Sequence, residues 1–301
     1  MPPSGLIRNF KSDVYWWEPD GRVVRLSPGD GGIYSMACVH PSGSHAVFWG
    51  GAAGRPRLWI ADGRGGLDAI TGEKFSARYP AYDLAGRFLV YCVSAHKSEF
   101  VEDLRRRSTA TMPADGVGMA IVLKAADGAW ERRLTDGRYL DQRPALSPNG
   151  AMVVFVSNRG GTPGLWLVAA DGRSKPAALL TKTRAYRPWW SVDGKHIFFF
   201  VLGKEPHRIH VVPISGGRPV RLINDDRGDT HGPYADPGGR HLIVHSTRDS
   251  DDSGSPVWRL YELPLDGTPP RRLAPPNHPR GAHGTRARNG VMTFDVAYHR
   301  R

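Results

Sequence analysis

Two cysteines, Cys38 and Cys92, are too few in 301 residues for a disulfide framework or a cysteine-built zinc site. Each lies within an apolar stretch, where a free thiol acts as a small hydrophobe. No apolar run reaches the length of a membrane helix, so no spanning segment is expected. The opening residues, MPPSGLIRNFKSDVYWW, lack a long apolar core and a small-residue cleavage site, which predicts a cytoplasmic protein unless a leader precedes them. A G-x-S-x-G elbow is missing, so a serine-hydrolase reading has no nucleophile. A basic tail is missing too. The net charge of +12 is spread along the chain, which argues against nucleic acid and for smaller anionic partners such as acidic polysaccharide.

What is present is repetition. YPAYDLAGRFLVYCVS (79–94), RPALSPNGAMVVFVSN (143–158), RPWWSVDGKHIFFFVL (187–202) and GPYADPGGRHLIVHST (232–247) share one frame, which also fits MACVHPSGSHAVFWGG (36–51) and HGTRARNGVMTFDVAY (283–298). Each copy is a short strand, a turn with glycine at a fixed offset, and an apolar strand. The glycine supplies the positive φ of a tight hairpin, and Pro, Asn and Asp suit the other turn positions. The β-branched and aromatic run that follows suits a strand buried on both faces. Two further strands, split by D-G or G-G pairs, follow most copies. A four-stranded antiparallel unit at this period predicts a β-propeller. The last copy supplies only two inner strands and residues 12–27 only two outer ones. The expectation is therefore a six-bladed ring closed two plus two, forming one domain over residues 1–301.

The stretch LSPNGAMVVFVSNRGG resembles the PD40 (WD40-like) repeat of TolB-type propellers, and the resemblance extends over nearly the whole chain. It implies the propeller fold. The family includes envelope scaffold proteins, substrate-gating domains of serine peptidases and polysaccharide lyases such as oligogalacturonate lyase, so it implies no single activity.

Ligand sites in such a ring lie where loops converge over the central channel. The first residues of the inner strands are Tyr34, Tyr79, Gln142 with Arg143, Tyr186 with Arg187, His231, and His283. Together they predict a positively charged, hydrogen-bonding bowl in which Tyr34, Tyr79, Gln142, Arg143 and Arg187 bind an anionic ligand, a uronate-type carbohydrate or acidic peptide. Taken singly, each has a packing explanation. The alternative is a lyase-like enzyme in which Arg neutralises a carboxylate while His231, His283 or Tyr186 moves a proton. A third reading is a scaffold for a protein partner. No cofactor is certain. His231 and His283 hold nearly the same position in adjacent blades and read as neighbours across the mouth, close enough to share a divalent metal, with Gln142, Asp141 or Asp229 reaching in. Oligogalacturonate lyase, which the arrangement resembles, places propeller histidines and a glutamine around a metal. His245, four residues after His241 on one strand, reads as a buried hydrogen-bonded histidine.

Residues 94–118 form the longest insertion. Their SEFVEDLRRR suits a short helix capped by Ser98, a lid that would carry His96, Lys97 and Arg105 to Arg107 over the bowl, or else a solvated excursion. DSDDSG (249–254) resembles the start of a calcium loop, but Leu260 stands where the bidentate Glu belongs. Trp16, Trp17, Trp189 and Trp190 could stack sugars, although wedging between blades is the commoner role.

Overall fold

A computed structural model describes residues 10–51, 56–94, 118–180, 183–203, 206–222, 227–250, 257–275 and 282–299. The chain opens with β1 (Phe10–Trp17) and β2 (Val23–Arg25). Next come β3 (Ile33–Val39), β4 (Ala46–Gly51), β5 (Arg57–Ala61) and β6 (Leu67–Ala69), then β7 (Ser76–Tyr82), β8 (Phe88–Ser94), β9 (Ala120–Ala125) and β10 (Glu131–Arg133). The third group is β11 (Gln142–Leu146), β12 (Met152–Ser157), β13 (Gly164–Ala169) and β14 (Ala177–Leu180). The fourth is β15 (Ala185–Trp190), β16 (His196–Val201), β17 (Ile209–Pro213) and β18 (Val220–Arg221). The fifth is β19 (Thr230–Ala235), β20 (His241–Ser246), β21 (Arg259–Pro264) and β22 (Arg271–Leu273), before β23 (Ala282–Arg286) and β24 (Met292–His299).

Each of the last four complete groups is a four-stranded antiparallel sheet. The remaining strands form one eight-stranded sheet, in which β23–β24–β1–β2 meets β3–β4–β5–β6 through a single parallel bridge, Ser12 to Ile33. β1 and β24 pair antiparallel from Phe10–His299 to Trp17–Met292, so strands from the two ends of the chain share one sheet, as the two-plus-two reading expects. The architecture is an all-β propeller of antiparallel four-stranded blades. Among the described residues, no helix is long and apolar enough to cross a membrane.

The turns and second strands follow the sequence logic. Gly150 has φ +74°, and Asn149 Oδ1 accepts from the amide of Ala151 at 3.0 Å to close that hairpin. In β12, Val153, Val154, Phe155 and Val156 are all fully buried, which explains the unbroken apolar run. Trp16 and Trp190 are buried, and Trp190 Nε1 donates to the Ala145 carbonyl at 3.0 Å across to the preceding sheet. Wedging wins at these two positions. Cys38 and Cys92 are free and buried. The insertion at 95–117 and most of DSDDSG lie outside the described residues.

Candidate functional site

Every inner strand breaks register with its neighbour at the same place. The breaks fall between Ser35 and Cys38, Arg78 and Ala81, Gln142 and Ala145, Tyr186 and Trp189, His231 and Tyr234, and Ala282 and Thr285. Within them sit Met36, Tyr79, Arg143, Arg187, Gly232 and His283, all in the left-handed region with φ from 50° (Arg187, His283) to 64° (Gly232). Five of these six are not glycine, so each holds backbone strain of order 1 kcal/mol that the surrounding sheet must maintain. Pro80, Pro144, Pro188 and Pro233 follow four of them. A proline has no N–H to give the ladder, which suits a bulge. Five of the six bulge residues, Met36, Tyr79, Arg143, Arg187 and Gly232, line a depression at the centre of the ring, together with Trp189 and Tyr234.

The arginines are not on a surface bowl. Arg143 and Arg187 are 8% and 7% exposed, and they form the channel wall. The Arg143 guanidinium lies 4.3 Å from the Tyr79 ring centroid and 4.5 Å from that of Tyr186, held between two aromatic faces. Its Nη1 meets the sulfur of Met36 at 3.3 Å, and its Nε has no hydrogen-bond partner. Beside it, Arg78 is 2% exposed and packs 4.9 Å from the Trp49 ring, with Nη1 unpartnered. Burial pulls the Arg78 pKa down from its ordinary value. Among the described residues, neither Arg78 nor Arg143 has a carboxylate ion-pair partner.

Histidines gather on the other side of the mouth. His207, just before β17, donates its amide to Asp229 Oδ1 at 2.7 Å, and its carbonyl accepts from the Thr230 amide at 2.9 Å, tying two loops together. Its Nδ1 lies 2.5 Å from His231 Nε2. The His231 ring stacks on Phe200 with centroids 4.3 Å apart and lies 4.6 Å from Trp258. One ligand atom from each of His207, Asp229 and His231 lies within 4.8 Å of the others, a geometry that could hold a metal. His245 pairs opposite His231 in β20 and touches both His231 and His283, with centroids 5.4 and 4.5 Å away. Arg187 Nη1 donates to His245 Nε2 at 3.3 Å. His283 Nδ1 lies 2.9 Å from both oxygens of Asp295. Asp295 also accepts from the Ser35 hydroxyl and, at 3.0 Å, from the Met36 amide.

Desolvation governs the charges here. Burial drives His231 and His245 well below the usual imidazole value, and the neighbouring histidines and Arg187 push the same way. Burial pushes Asp295 up to about 6, against the opposing pull of Ser35, Met36 and Arg187.

The sequence-predicted residues therefore separate. Tyr79, Arg143 and Arg187 meet at the channel, and Gln142 is buried beside them, its Oε1 3.4 Å from the Tyr186 hydroxyl. Tyr34 does not join them. It is 1% exposed, packs against Phe48 and Trp59, and donates to Asp30 at 2.9 Å, because the bulge hands its expected place to Met36. His231 and His283 are not direct neighbours, since His245 stands between them. The three-residue metal-binding geometry draws in His207 and Asp229, whereas His283 is taken by Asp295 and Gln142 by Tyr186. Asp141 is fully buried and pairs with Arg159 at 2.6 Å. His245 is buried as expected, but it belongs to this cluster. Sequence reasoning missed Arg78, His207, Trp258 and Asp295. Asp295 was visible as an acid inside an otherwise apolar strand, FDVAY, where the other copies carry YCVS or VFVSN.

A solved structure described as a TolB of Agrobacterium tumefaciens superposes with a TM-score of 0.69 at 16% identity, covering 96% of this chain and 99% of that one. The fold is that of the TolB-like propellers. A manganese complex of oligogalacturonate lyase shares it at a TM-score of 0.54 and 11% identity, with 97% of each chain covered. Among curated proteins, the Tol-Pal system protein TolB of Thioalkalivibrio sulfidiphilus is 43% identical over 61 residues, 20% of this chain and 14% of that protein. TolB of Haemophilus ducreyi is 32% identical over 92 residues, 28% of this chain and 22% of that protein. The matches thus span less than a quarter of either curated relative. No protein-family model matches the chain.

Proposed function

We propose that this TolB-like propeller binds a carboxylate-bearing ligand, a uronate-type sugar or an acidic peptide, in its central channel. One observation carries the reading: Arg78 and Arg143 are buried side by side against aromatic rings, with no carboxylate among the described residues to neutralise them. Two buried cations without a counter-ion are costly, and an anion entering the channel would meet Arg143 in its wall, with Arg78 adding its field from behind. The aromatic walls, Tyr79, Trp189 and Tyr234, suit the apolar face of a sugar ring. We further infer that the eight-stranded sheet divides at its single bridge into two blades, which makes the ring six-bladed.

Titrating the intrinsic tryptophan fluorescence with digalacturonate and with an acidic peptide tests the reading. Saturable binding is expected, and Arg143→Met should weaken it at least about tenfold, the loss of one charge-assisted contact. Equal binding by wild type and variant would remove the channel as the site.

A lyase activity is favoured by one further observation. Asp295 fixes His283 through Nδ1, the arrangement that orients an imidazole as a proton acceptor at its other nitrogen. Incubation with oligogalacturonate while following the absorbance of unsaturated uronate distinguishes it: a rise that His283→Ala abolishes supports the enzyme, and no rise leaves a binding protein.

A further inference from the structure

The cluster at His207, Asp229 and His231 reaches the arginine wall through His245, which lies against both His231 and Arg187, and is not explained by anion binding. We propose that His207 Nδ1, the Asp229 carboxylate and His231 Nε2 bind one divalent cation of the zinc class where the β16–β17 loop meets the start of β19. Two imidazole nitrogens and one carboxylate oxygen are the donor set that borderline divalent metals prefer, whereas calcium and magnesium seek oxygen alone.

The three ligand atoms already lie within 4.8 Å of one another. In a tetrahedral zinc site, bonds of about 2.0–2.1 Å place two nitrogens roughly 3.3 Å apart. The present 2.5 Å separation of His207 Nδ1 and His231 Nε2 needs to open by less than about 1 Å. Two imidazole nitrogens facing each other either share a proton or turn both lone pairs to a cation, and the neighbouring carboxylate favours the cation.

The site is also preformed. His231 cannot swing, because Phe200 stacks on its ring and Trp258 packs against it. Asp229 and His207 are locked to each other by the His207 amide, and the Asp229 amide donates to Thr247 Oγ1 at 2.9 Å. Supporting bonds of this kind hold metal ligands in register. The His207 and Asp229 side chains remain 22% and 36% exposed, so a cation has a route in. Three protein ligands would leave a fourth position for water or a bound oxygen.

Zinc binding to chelator-treated full-length protein, measured by competition with a chromophoric chelator, tests this directly. One zinc per chain is expected, and His207→Ala, Asp229→Ala and His231→Ala should each weaken it at least about tenfold. Cobalt in place of zinc should give visible bands of four- or five-coordinate geometry that vanish in the same variants. Because His231→Ala removes a packed ring, Asp229→Asn serves as the second variant. It keeps an acceptor for the His207 amide and should lose zinc affinity while retaining the wild-type unfolding temperature of the metal-free protein. His40 and His45, a stacked pair elsewhere in the fold, supply the control, and their joint replacement by alanine should change nothing. Arg143→Met should retain zinc, which separates this site from the anion reading. No stoichiometric zinc, or zinc held equally by wild type and by the His207 and Asp229 variants, would overturn the proposal.

Discussion

Trp49, Cys92, Val156 and Phe200 occupy the same place in their second strands as His245 and Asp295, each paired opposite the residue just before a channel bulge. In four repeats that place is apolar or a buried thiol, and two of their bulges, at Tyr79 and Arg143, are held by packing against aromatic rings. In the last two it is titratable, and the bulges are held by hydrogen bonds among His245, His283, Asp295, Ser35 and Arg187. The same backbone device is thus stabilised in two ways around one ring. The apolar part keeps the fold. The polar part, beside the seam where β24 meets β1, gathers the titratable imidazoles and carboxylate, whereas the buried arginines Arg78 and Arg143 belong to repeats whose second-strand place is a thiol or valine.

The largest effect should come from cutting the polar part. Asp295→Ala strands the Ser35 hydroxyl, the Met36 amide and His283, and unsatisfied buried groups cost about 1–3 kcal/mol each. A total loss of roughly 3 kcal/mol or more is expected in urea denaturation, against about 1–2 kcal/mol for Val156→Ala at the matching apolar place. Equal losses would erase the distinction.

Asp295→Asn sharpens the same contrast through pH. With its folded pKa raised from 3.8 to about 6, Asp295 favours folding fully while protonated and gives that contribution up as pH rises between those values. The difference is at most about 3 kcal/mol. The buried histidines act oppositely: His231 and His245, held neutral by desolvation, cost stability as pH falls below the usual imidazole value. The stability of wild type relative to Asp295→Asn should therefore decline from pH 4 to pH 6. Parallel curves would mean that Asp295 is already ionised at pH 4.

His231→Ala is expected to cost about 2 kcal/mol, since the ring lies between Phe200 and Trp258. Thermal melts check it, and an unchanged melting temperature would mean that the ring supports little packing. Gly232→Ala should cost about 1–2 kcal/mol. Its φ is +64°, and a Cβ would come within 2.7 Å of the His245 ring. A neutral result would show that the bulge at the polar seam is looser than its apolar counterparts.

The repeat frame, the turn glycines and the buried second strands were legible because each depends on local patterning that recurs six times. The bulge was half legible: the Tyr-Pro, Arg-Pro and Gly-Pro pairs stood at a constant offset from the turn glycine, but nothing local announces a positive φ at Met36 or His283. Counting without that bulge placed Tyr34 at the channel, two residues from Met36. The histidine cluster was the least legible part. His207 and Trp258 reach it from loops between second and third strands, and no spacing along the chain encodes which loops converge.

Arg143→Met has the smallest expected effect on stability, within about 1 kcal/mol, because an apolar chain of similar volume replaces a buried charge. It has the greatest bearing on function. The decisive measurement is a crystal structure of the wild-type protein soaked with digalacturonate. The account predicts a sugar carboxylate within hydrogen-bonding distance of the Arg143 guanidinium, with density absent from crystals of Arg143→Met. A ligand seated on the outer rim with Arg143 uncontacted, or the same channel density in both crystals, would contradict it.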